Sequence, residues 1–537
     1  MAHGRPAYPK SDSNARIPLS GPPPKTVFSP SRNRLVLPAM TDAPEPEGFI
    51  ARHGLWTDDQ ARCARDIAAR ARAEKLQLVR LAWSDSHGHV RAKALTLPAF
   101  EAALADGHNI NVALWTLDAS GSRVFASFTP GGGMDLPEMT GSPNLVAVPD
   151  PATFRILPWA PGVGWVLCDE YFRDGAPFHF SARRVLRRTL DALAARGLSA
   201  FVGVEVEWYL LKLLDDTLGE ENIGILGERG SPLPAAPHDS GFSYHSESNL
   251  DLMQPMLSAL AGHYQALDLG LRSVENEWGA GQVECTFEAR EALRAADDYV
   301  LFRTATRQIC RRIGHMASFM AAPGRRGLYP SGWHLHLSLC DGSGANALMP
   351  EAGADHLSPL GRSFLAGLLD HALDGVVFGS PTVNGYRRFR PFSLAPDRVT
   401  WGFDHRGTMV RVLGGAGDPA TRYENRVGEP AANPYLFIAA QVAAGLDGLA
   451  REAEPWPADD APYTADRPML PTGLPAALEA LERSPLYRDA FGEAYIGYYL
   501  ALKRAEMARF DAFLSETGVD PAAGVTEWEV NEYFDAF

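Results

Sequence analysis

The stretch GVEVEWYL, residues 203–210, decides the fold because acidic and apolar side chains alternate along it. Side chains two positions apart on a β-strand point to the same side, so Glu205 and Glu207 share one face. Val206 and Trp208 lie on the other face, which suits packing against helices. We therefore predict a strand that is apolar on one side and carries two carboxylates on the other.

The same alternation recurs in three later stretches, whose polar faces carry mainly Glu, His and Arg. These faces hold Gln282, Glu284, Thr286 and Glu288 in QVECTFE, His334, His336 and Ser338 in WHLHLSL, and Arg422, Glu424 and Arg426 in RYENRV. One such strand by itself is usually a half-exposed strand with its polar face toward water. Several such strands together indicate a cation-binding site, because carboxylates crowded on one sheet face repel each other unless cations compensate them.

The residue types on these faces indicate the chemistry. Glutamate combined with histidine suits Mg²⁺ or Mn²⁺, whereas Zn²⁺ favours cysteine or more histidine. Arginines beside such a site suit phosphate and carboxylate groups, because the guanidinium binds both through paired hydrogen bonds. The chain has neither a GxxxxGK[S/T] loop nor a kinase glycine-rich loop, so metals and arginines would hold any nucleotide. The residues alone predict a metal- and phosphate-handling enzyme.

Composition limits the cellular setting and the partners. The chain has 537 residues and a formal net charge of −15, which disfavours nucleic acid and anionic membranes as main partners. No stretch approaches the roughly 20 apolar residues of a membrane helix, and no signal-peptide pattern opens the chain. Five scattered cysteines without a CxxC pair predict reduced thiols, and hence a cytoplasmic protein. They are Cys63, Cys168, Cys285, Cys310 and Cys340.

The chain divides into three segments. Residues 1–56 are rich in Pro and Ser and are expected to form a loose extension. Residues 57–175 begin with a helix capped at Thr57 and continue with a hairpin over 76–95, which predicts a small β-rich domain. Residues 176–537 carry strands and long helices in blocks, with one helix predicted over 291–320. This order predicts an α+β catalytic domain on an antiparallel sheet.

Six strings resemble the glutamine synthetase family in order and spacing. They are GVEVEWYL from 203, ENEWGAGQVE from 275, SGWHLHLSL from 331, PTVNGYRRF from 381, WGFDHRGTMVRV from 401 and RYENRVGEPAANPYLFIAA from 422. The resemblance extends over residues 76–537. It implies a β-grasp domain at 57–175 and a catalytic domain whose curved antiparallel sheet is flanked by helices. It also implies a homo-oligomer, with active sites between adjacent subunits of stacked hexameric or pentameric rings.

The resemblance further implies roles for individual residues. Glu207, Glu277 and Glu284 would bind one metal, and Glu205, His334 and Glu424 a second. Arg388 would hold the carboxylate of the substrate glutamate, while Arg406, Arg411 and Arg426 would neutralise phosphate groups. His336, Ser338 and Gly332 would contact the nucleotide or the substrate. The implied reaction uses ATP to convert the γ-carboxylate of glutamate to an acyl phosphate, which an amine then attacks.

The chain departs from the family where ammonium would bind. Leu394 occupies the place of the glutamate that closes over the site, and the family's NGSGMH string has become YPSGWH, residues 329–334. Ammonium is a cation and needs an acidic pocket to lose its proton, which leucine cannot supply. We therefore predict a hydrophobic acceptor, with aniline or a substituted aniline first, and an amine end lined by Leu394, Trp333, Tyr329 and Phe392.

Other functions compatible with the sequence are glutamine synthetase acting on ammonium and a γ-glutamylpolyamine or γ-glutamylalkylamine synthetase. A structural pseudoenzyme and a metal-dependent amide hydrolase belong to other classes. All the implied metal ligands and arginines are present in the chain, which speaks against the pseudoenzyme.

Overall fold

The structure, a computed structural model, describes residues 47–134, 136–352 and 356–537. The chain separates into the units Met1–Glu47 and Gly48–Phe537, and all elements below belong to the second. The predicted extension lies outside the described residues up to position 46. Its last part, by contrast, is packed, since Phe49 and Ile50 are buried against Val146 and Val148.

The described helices lie mainly in the second half of the chain. They are α1 (Phe49–Arg52), α2 (Asp58–Ala73), α3 (Leu97–Asp106), α4 (Ala182–Ala194), α5 (Glu247–Ala266), α6 (Ala292–Arg312), α7 (Pro359–Asp370), α8 (Ala372–Gly379), α9 (Pro434–Ala450), α10 (Leu474–Arg483), α11 (Pro485–Phe491), α12 (Glu493–Thr517) and α13 (Glu527–Tyr533).

The described strands form two sheets, one on each side of the predicted boundary at residue 175. The smaller sheet contains β1 (Leu78–Ser84), β2 (Val90–Thr96), β3 (His108–Asn111), β4 (Asn144–Pro149), β5 (Arg155–Ile156) and β6 (Val163–Tyr171). The larger contains β7 (Leu198–Leu213), β8 (Ala235–Ala236), β9 (Leu271–Asn276), β10 (Gln282–Phe287), β11 (Arg290–Glu291), β12 (His315–Ser318), β13 (Trp333–Asp341), β14 (Trp401–Phe403), β15 (Val410–Leu413) and β16 (Arg422–Gly428).

The smaller sheet has the strand order β2-β1-β6-β4-β3, with β1 and β6 parallel and the other pairs antiparallel. The predicted hairpin is confirmed, because β1 pairs antiparallel with β2. The predicted helix start is also confirmed. Thr57 accepts from the Gln60 amide, and the Gln60 side chain accepts from the Thr57 amide, so each satisfies an amide that the first turn leaves free.

The larger sheet has the order β14-β15-β16-β13-β7-β10-β9, and β8, β11 and β12 also pair with β7. The predicted α+β class is confirmed, but the sheet is not antiparallel throughout, because β14 and β15 run parallel. The apolar face of β7 is buried as expected, with Val204, Val206 and Trp208 packed in the core beside α4 and α6. The polar face of β7 is thereby left for the functional site.

One predicted helix is shorter than expected. The pattern over 291–320 predicted a single helix, but α6 ends at Arg312 and β12 follows at His315. Gly314 adopts a φ of +74°, a left-handed conformation that a helix cannot continue through. The chain therefore reverses there and adds β12 to the edge of β7. No helix in the described parts of the chain is both long and apolar enough to cross a membrane.

A buried ion-pair cluster joins the smaller sheet to the helices α4 and α6. The Arg183 guanidinium of α4 contacts Asp150 and Asp169 at 2.7 Å each, from the end of β4 and from β6. The same guanidinium contacts Asp297 of α6 at 2.7 Å, and Asp297 also accepts from the Tyr435 hydroxyl. Only 4% of the Arg183 side chain is exposed, and Arg187 also contacts Asp150 and Asp169, so Asp297 depends most on Arg183 for compensation.

We expect Arg183→Met to destabilise the protein by about 3–5 kcal/mol, because it removes the cation that the buried Asp297 carboxylate contacts. Urea unfolding followed by fluorescence measures the change. The matched control is Arg188→Met on the same helix, whose exposed side chain donates to the Ala490 carbonyl. Equal stability of the two variants would contradict this assignment.

Candidate active site

Strand register brings the polar faces of four strands together. Glu207 of β7 lies directly opposite Glu284 of β10, and Glu205 lies opposite His334 of β13. On the next pair, Glu424 of β16 lies opposite His336. Directly opposed residues have Cβ atoms about 5 Å apart, so these side chains form one continuous patch. The alternation seen in the sequence therefore becomes a single surface only through strand pairing.

One half of the patch consists of carboxylates bonded to histidine and arginine. The Glu205 carboxylate is hydrogen-bonded to His334 Nδ1 at 2.6 Å and to His336 Nε2 at 3.1 Å. Glu424 is fully buried and accepts from Arg411 Nη1 at 2.8 Å and from Arg426. Burial alone would raise the pKa of Glu424, but His334 and Arg426 lower it to about 2. These carboxylates are therefore charged at neutral pH.

The other half contains carboxylates that form no ion pair with a cationic side chain of the described residues. Burial, reinforced by Glu205 and Glu207, raises the pKa of Glu284 to about 10. Burial and then Glu207 raise the pKa of Glu277 to about 8. The pKa of Glu207 is raised too, chiefly by burial, although Gln282 and the Gly332 amide donate to its Oε2 at 3.1 and 3.0 Å. A cation bound among these oxygens favours the ionised form of all three carboxylates.

The residues fit a divalent cation by their donor chemistry. Glu205, Glu284 and His334 each offer one ligand atom within 4.8 Å of the others, and Glu205, His336 and Glu424 do the same. Carboxylate oxygens with an occasional imidazole are the donors that Mg²⁺ and Mn²⁺ accept. The second group includes His336, which the family resemblance assigned to the nucleotide, so this side chain lies within reach of a metal as well.

Arg388 lies behind the acidic patch and is held there by the backbone. It is 4% exposed, and its Nη1 donates to the carbonyls of Val427 at 3.1 Å and Gly428 at 2.7 Å. A Cβ at Gly332 would come within 2.7 Å of Arg388 Nη2, so the absence of a side chain there allows the close approach. The guanidinium and the carboxylate of Glu207, to which the Gly332 amide donates, thus border the same space.

A cleft of about 900 Å³ opens over this patch. Its lining includes most of the residues singled out from the sequence, namely Glu205, Glu207, Glu277, Glu284, Tyr329, Gly332, His334, Arg388, Leu394, Arg406, Arg411 and Arg426. Leu394 is 55% exposed and its carbonyl accepts from Arg426 Nη2 at 3.2 Å. This bond places the 393–395 segment at the rim of the cleft.

Five other predicted residues do not line this cleft in the part of the chain that the structure describes; they are Glu424, His336, Ser338, Trp333 and Phe392. Glu424 and His336 belong to the patch beneath it. Ser338 lies further along β13, opposite Phe201. The assignment of Trp333 to the amine end is wrong. Its side chain is fully buried and stacks on Tyr299 at 4.2 Å, because its position next to His334 on β13 turns it toward the core.

The structure adds cleft residues that the sequence analysis missed. Tyr244 and Trp278 line the cleft with their rings stacked at 5.2 Å, and Arg390 lines it as well. Trp278 follows Glu277 directly, so its position beside a predicted ligand was an available signal. Tyr244 lies in an irregular segment between β8 and α5, where no periodicity points to it. Phe392, predicted at the amine end, is 79% exposed and contacts Tyr463.

The site combines buried carboxylates and clustered arginines on one face of a curved sheet. This combination is typical of a metal-dependent enzyme that handles phosphate or carboxylate groups. The family model "Glutamine synthetase, catalytic domain" matches residues 179–531. The γ-glutamylanilide synthase of Acinetobacter sp. is 41% identical over 492 residues, which cover 91% of this chain and 98% of that protein.

Two further similarities agree with this match. The γ-glutamylethanolamide synthetase of Streptomyces coelicolor is 35% identical, over 72% of this chain and 78% of that protein. Solved structures of GmaS without ligand and with ADP superpose with TM-scores of 0.69 and 0.68. Each is 27% identical and covers 86% of this chain and 98% of that one. The chain belongs to the glutamine synthetase family.

We expect Glu284→Gln to weaken Mn²⁺ binding by at least about tenfold, because an amide cannot supply the missing negative charge among the ligand atoms. Free Mn²⁺ measured by electron paramagnetic resonance gives the affinity without any need for turnover. Glu288→Gln is the control, since Glu288 follows β10 and its carboxylate is 62% exposed beside Arg290. Similar Mn²⁺ affinity in both variants would show that Glu284 is not a ligand.

Proposed function

We propose that the protein is an ATP-dependent ligase that joins the γ-carboxylate of glutamate to a hydrophobic amine, with aniline or a substituted aniline as the preferred acceptor. The observation that carries the proposal is the composition of the cleft. It combines acidic ligands and arginines with Leu394 at the rim, where an ammonium-using site would need a carboxylate. Membership of the glutamine synthetase family supports the ligase reaction, and likeness to a γ-glutamylanilide synthase supports the acceptor.

In this proposal the residues of the chain divide the work by position. Arg388, buried beside Gly332, binds the α-carboxylate of the substrate glutamate. Arg406, Arg411 and Arg426 stabilise the charge that develops as the γ-carboxylate attacks the terminal phosphate of ATP. Mg²⁺ or Mn²⁺ held by the carboxylates of β7 and β10 would neutralise negative charge on the ATP phosphates. The amine then attacks the γ-glutamyl phosphate and inorganic phosphate leaves.

The preference for an aryl amine follows from the protonation state of the acceptor nitrogen. An alkylamine or ammonium is protonated near pH 7 and must lose a proton before it can attack, whereas an aniline nitrogen is already neutral. Leu394 and Tyr329, 55% and 39% exposed, offer apolar surface instead of a base. A polyamine would need further carboxylates for its distal cations. An aryl amine loses nothing from the missing base and gains from apolar contact.

The test of the acceptor measures phosphate release with saturating ATP and glutamate across aniline, isopropylamine, ethanolamine, putrescine and ammonium. We expect the highest kcat/KM for aniline and the lowest for ammonium. Mass spectrometry of the product must show a γ-glutamyl amide, and product formation without ATP would indicate a hydrolase acting in reverse. Ammonium or putrescine as best substrate would overturn the aryl-amine assignment.

Leu394→Glu should raise kcat/KM for ammonium by about tenfold or more, because it restores a group that can accept the ammonium proton. Leu394→Gln is the matched control, since it has the same shape as the glutamate variant without the charge. Both are compared with wild type in the phosphate-release assay. Equal gains in the two variants would attribute the change to polarity and not to proton transfer.

The protein is proposed to act in the cytoplasm as a ring-shaped homo-oligomer, either hexameric or pentameric rings in pairs. Its five cysteines are free, in keeping with a reducing compartment. In such a ring the domain at residues 57–175 would complete the active site of an adjacent subunit. We expect mass photometry at nanomolar concentration to detect the ring together with ligase activity. A fully active monomer would contradict the shared site.

A further inference from the structure

Three aromatic side chains form a stack at one wall of the cleft. The rings of Tyr244 and Trp278 lie 5.2 Å apart with an interplanar angle of 8°, and the His245 ring stacks on Tyr244 at 3.8 Å. All three line the cleft. Tyr244 and Trp278 nevertheless keep 47% and 37% of their surface exposed. Two large rings exposed side by side in a metal-binding cleft need a ligand to cover them.

The stack is held in position by the backbone. The Phe242 amide donates to the Trp278 carbonyl at 2.6 Å, and the His245 amide donates to the Asn276 carbonyl at 3.1 Å. Phe242 and His245 adopt φ values of +55° and +53°, which side-chain-bearing residues rarely take. The segment carrying Tyr244 therefore keeps a locally unfavourable conformation because it is fastened to the end of β9 and the turn that follows.

The stack lies next to the predicted metal ligands. The Trp278 amide donates to Glu277 Oε2 at 3.2 Å, so the indole adjoins a predicted metal-binding carboxylate. Tyr329 also lines the cleft, and its ring packs edge-on against Phe242 at 6.1 Å. The 5.2 Å spacing leaves no gap between Tyr244 and Trp278, so a ligand ring would pack on their exposed surface.

We propose that Tyr244 and Trp278 bind the aryl group of the acceptor amine and thereby select aryl over alkyl amines. The inference rests on the proposed ligase function and names the residues that determine its substrate. Stacked and edge-on contacts favour a neutral aromatic ring over an aliphatic group of similar size. The amine nitrogen is then directed toward Glu277 and the reacting carboxyl.

The position of the stack in the sheet argues against the adenine ring of ATP as its occupant. Trp278 lies in the turn that joins β9 to β10, while His336 and Ser338, assigned to the nucleotide by the family resemblance, lie on β13. β7 lies between β10 and β13, and neighbouring strands are about 4.8 Å apart. Nucleotide and aryl group would therefore occupy opposite ends of the patch.

The experiment compares kcat/KM for aniline with kcat/KM for isopropylamine in Trp278→Leu, Tyr244→Leu and Tyr244→Phe. The ratio is the readout, because it cancels general damage to the metal site. We expect about a tenfold fall in the ratio for the leucine variants and little change for Tyr244→Phe, which keeps the ring. KM for ATP and for glutamate should stay unchanged. Phe403→Leu is the control, since this exposed ring stacks on His356 and lies outside the cleft lining.

Several outcomes would overturn the inference. A raised KM for ATP with an unchanged amine ratio would mean that the rings bind adenine. Equal losses for aniline and isopropylamine would mean that the rings bind any amine, including alkylammonium cations over a ring face. Unchanged ratios would remove both rings from the acceptor site.

A binding measurement separates this inference from the ligase function. Saturation-transfer NMR with aniline, in the presence of glutamate, ADP and Mg²⁺, reports ring binding without turnover. Aniline bound by wild type but not by the leucine variants supports the aryl site even if no amine is ligated, in which case the proposed function alone fails. Phosphate release with aniline but equal aniline signals in wild type and variants removes the aryl site and leaves the ligase intact.

Discussion

Repulsion among buried carboxylates is the constraint on which the rest of this structure depends. Glu207, Glu277 and Glu284 share one end of the patch, beside Glu205, and burial together with the neighbouring carboxylates raises the pKa of Glu277 and Glu284 to about 8 and 10. A sheet face of this kind is stable as an ionised surface only with cations bound to it. The protein accordingly covers the opposite face of β7 with helices and leaves this face open to the cleft.

The arginines of the site differ in whether they neutralise a carboxylate of the patch. Arg411 and Arg426 bind Glu424 directly, so that carboxylate stays charged and the two guanidiniums are fixed at the cleft. Arg388 donates instead to backbone carbonyls of β16, which orient it without neutralising it. Its positive charge is left to attract an anionic group of the substrate. A reaction between two anions, a carboxylate and a nucleotide phosphate, requires such a division.

The proposed acceptor site is separated in space from this charged centre. The strands that carry the predicted metal ligands lie in the middle of the sheet, whereas the apolar and aromatic side chains lie near the turn after β9 and at the rim around Leu394. The rim segment depends on the centre, because Arg426 holds the Leu394 carbonyl. Changes of amine specificity can therefore occur at the edge while the phosphate chemistry of the centre is retained, in line with the range of amides named among the similar proteins.

The sequence by itself determined which residues share a face, because side-chain direction in a strand follows from the two-residue period. That was enough to predict Glu205 with Glu207, and His334 with His336. The arrangement of strands and helices in blocks predicted the α+β class. The cap at Thr57 and the hairpin over 76–95 followed from local signals.

Only the tertiary structure decided which faces meet and which rings reach the cleft. Pairing of β7 with β10 and β13 joined stretches more than 70 residues apart, and no period within one strand encodes that register. Trp333 was assigned to the amine end from its place in a string, yet the pleat beside His334 turns it into the core. Tyr244 could not be predicted at all, because it lies in an irregular segment that is positioned by hydrogen bonds from a distant turn and not by its own neighbours.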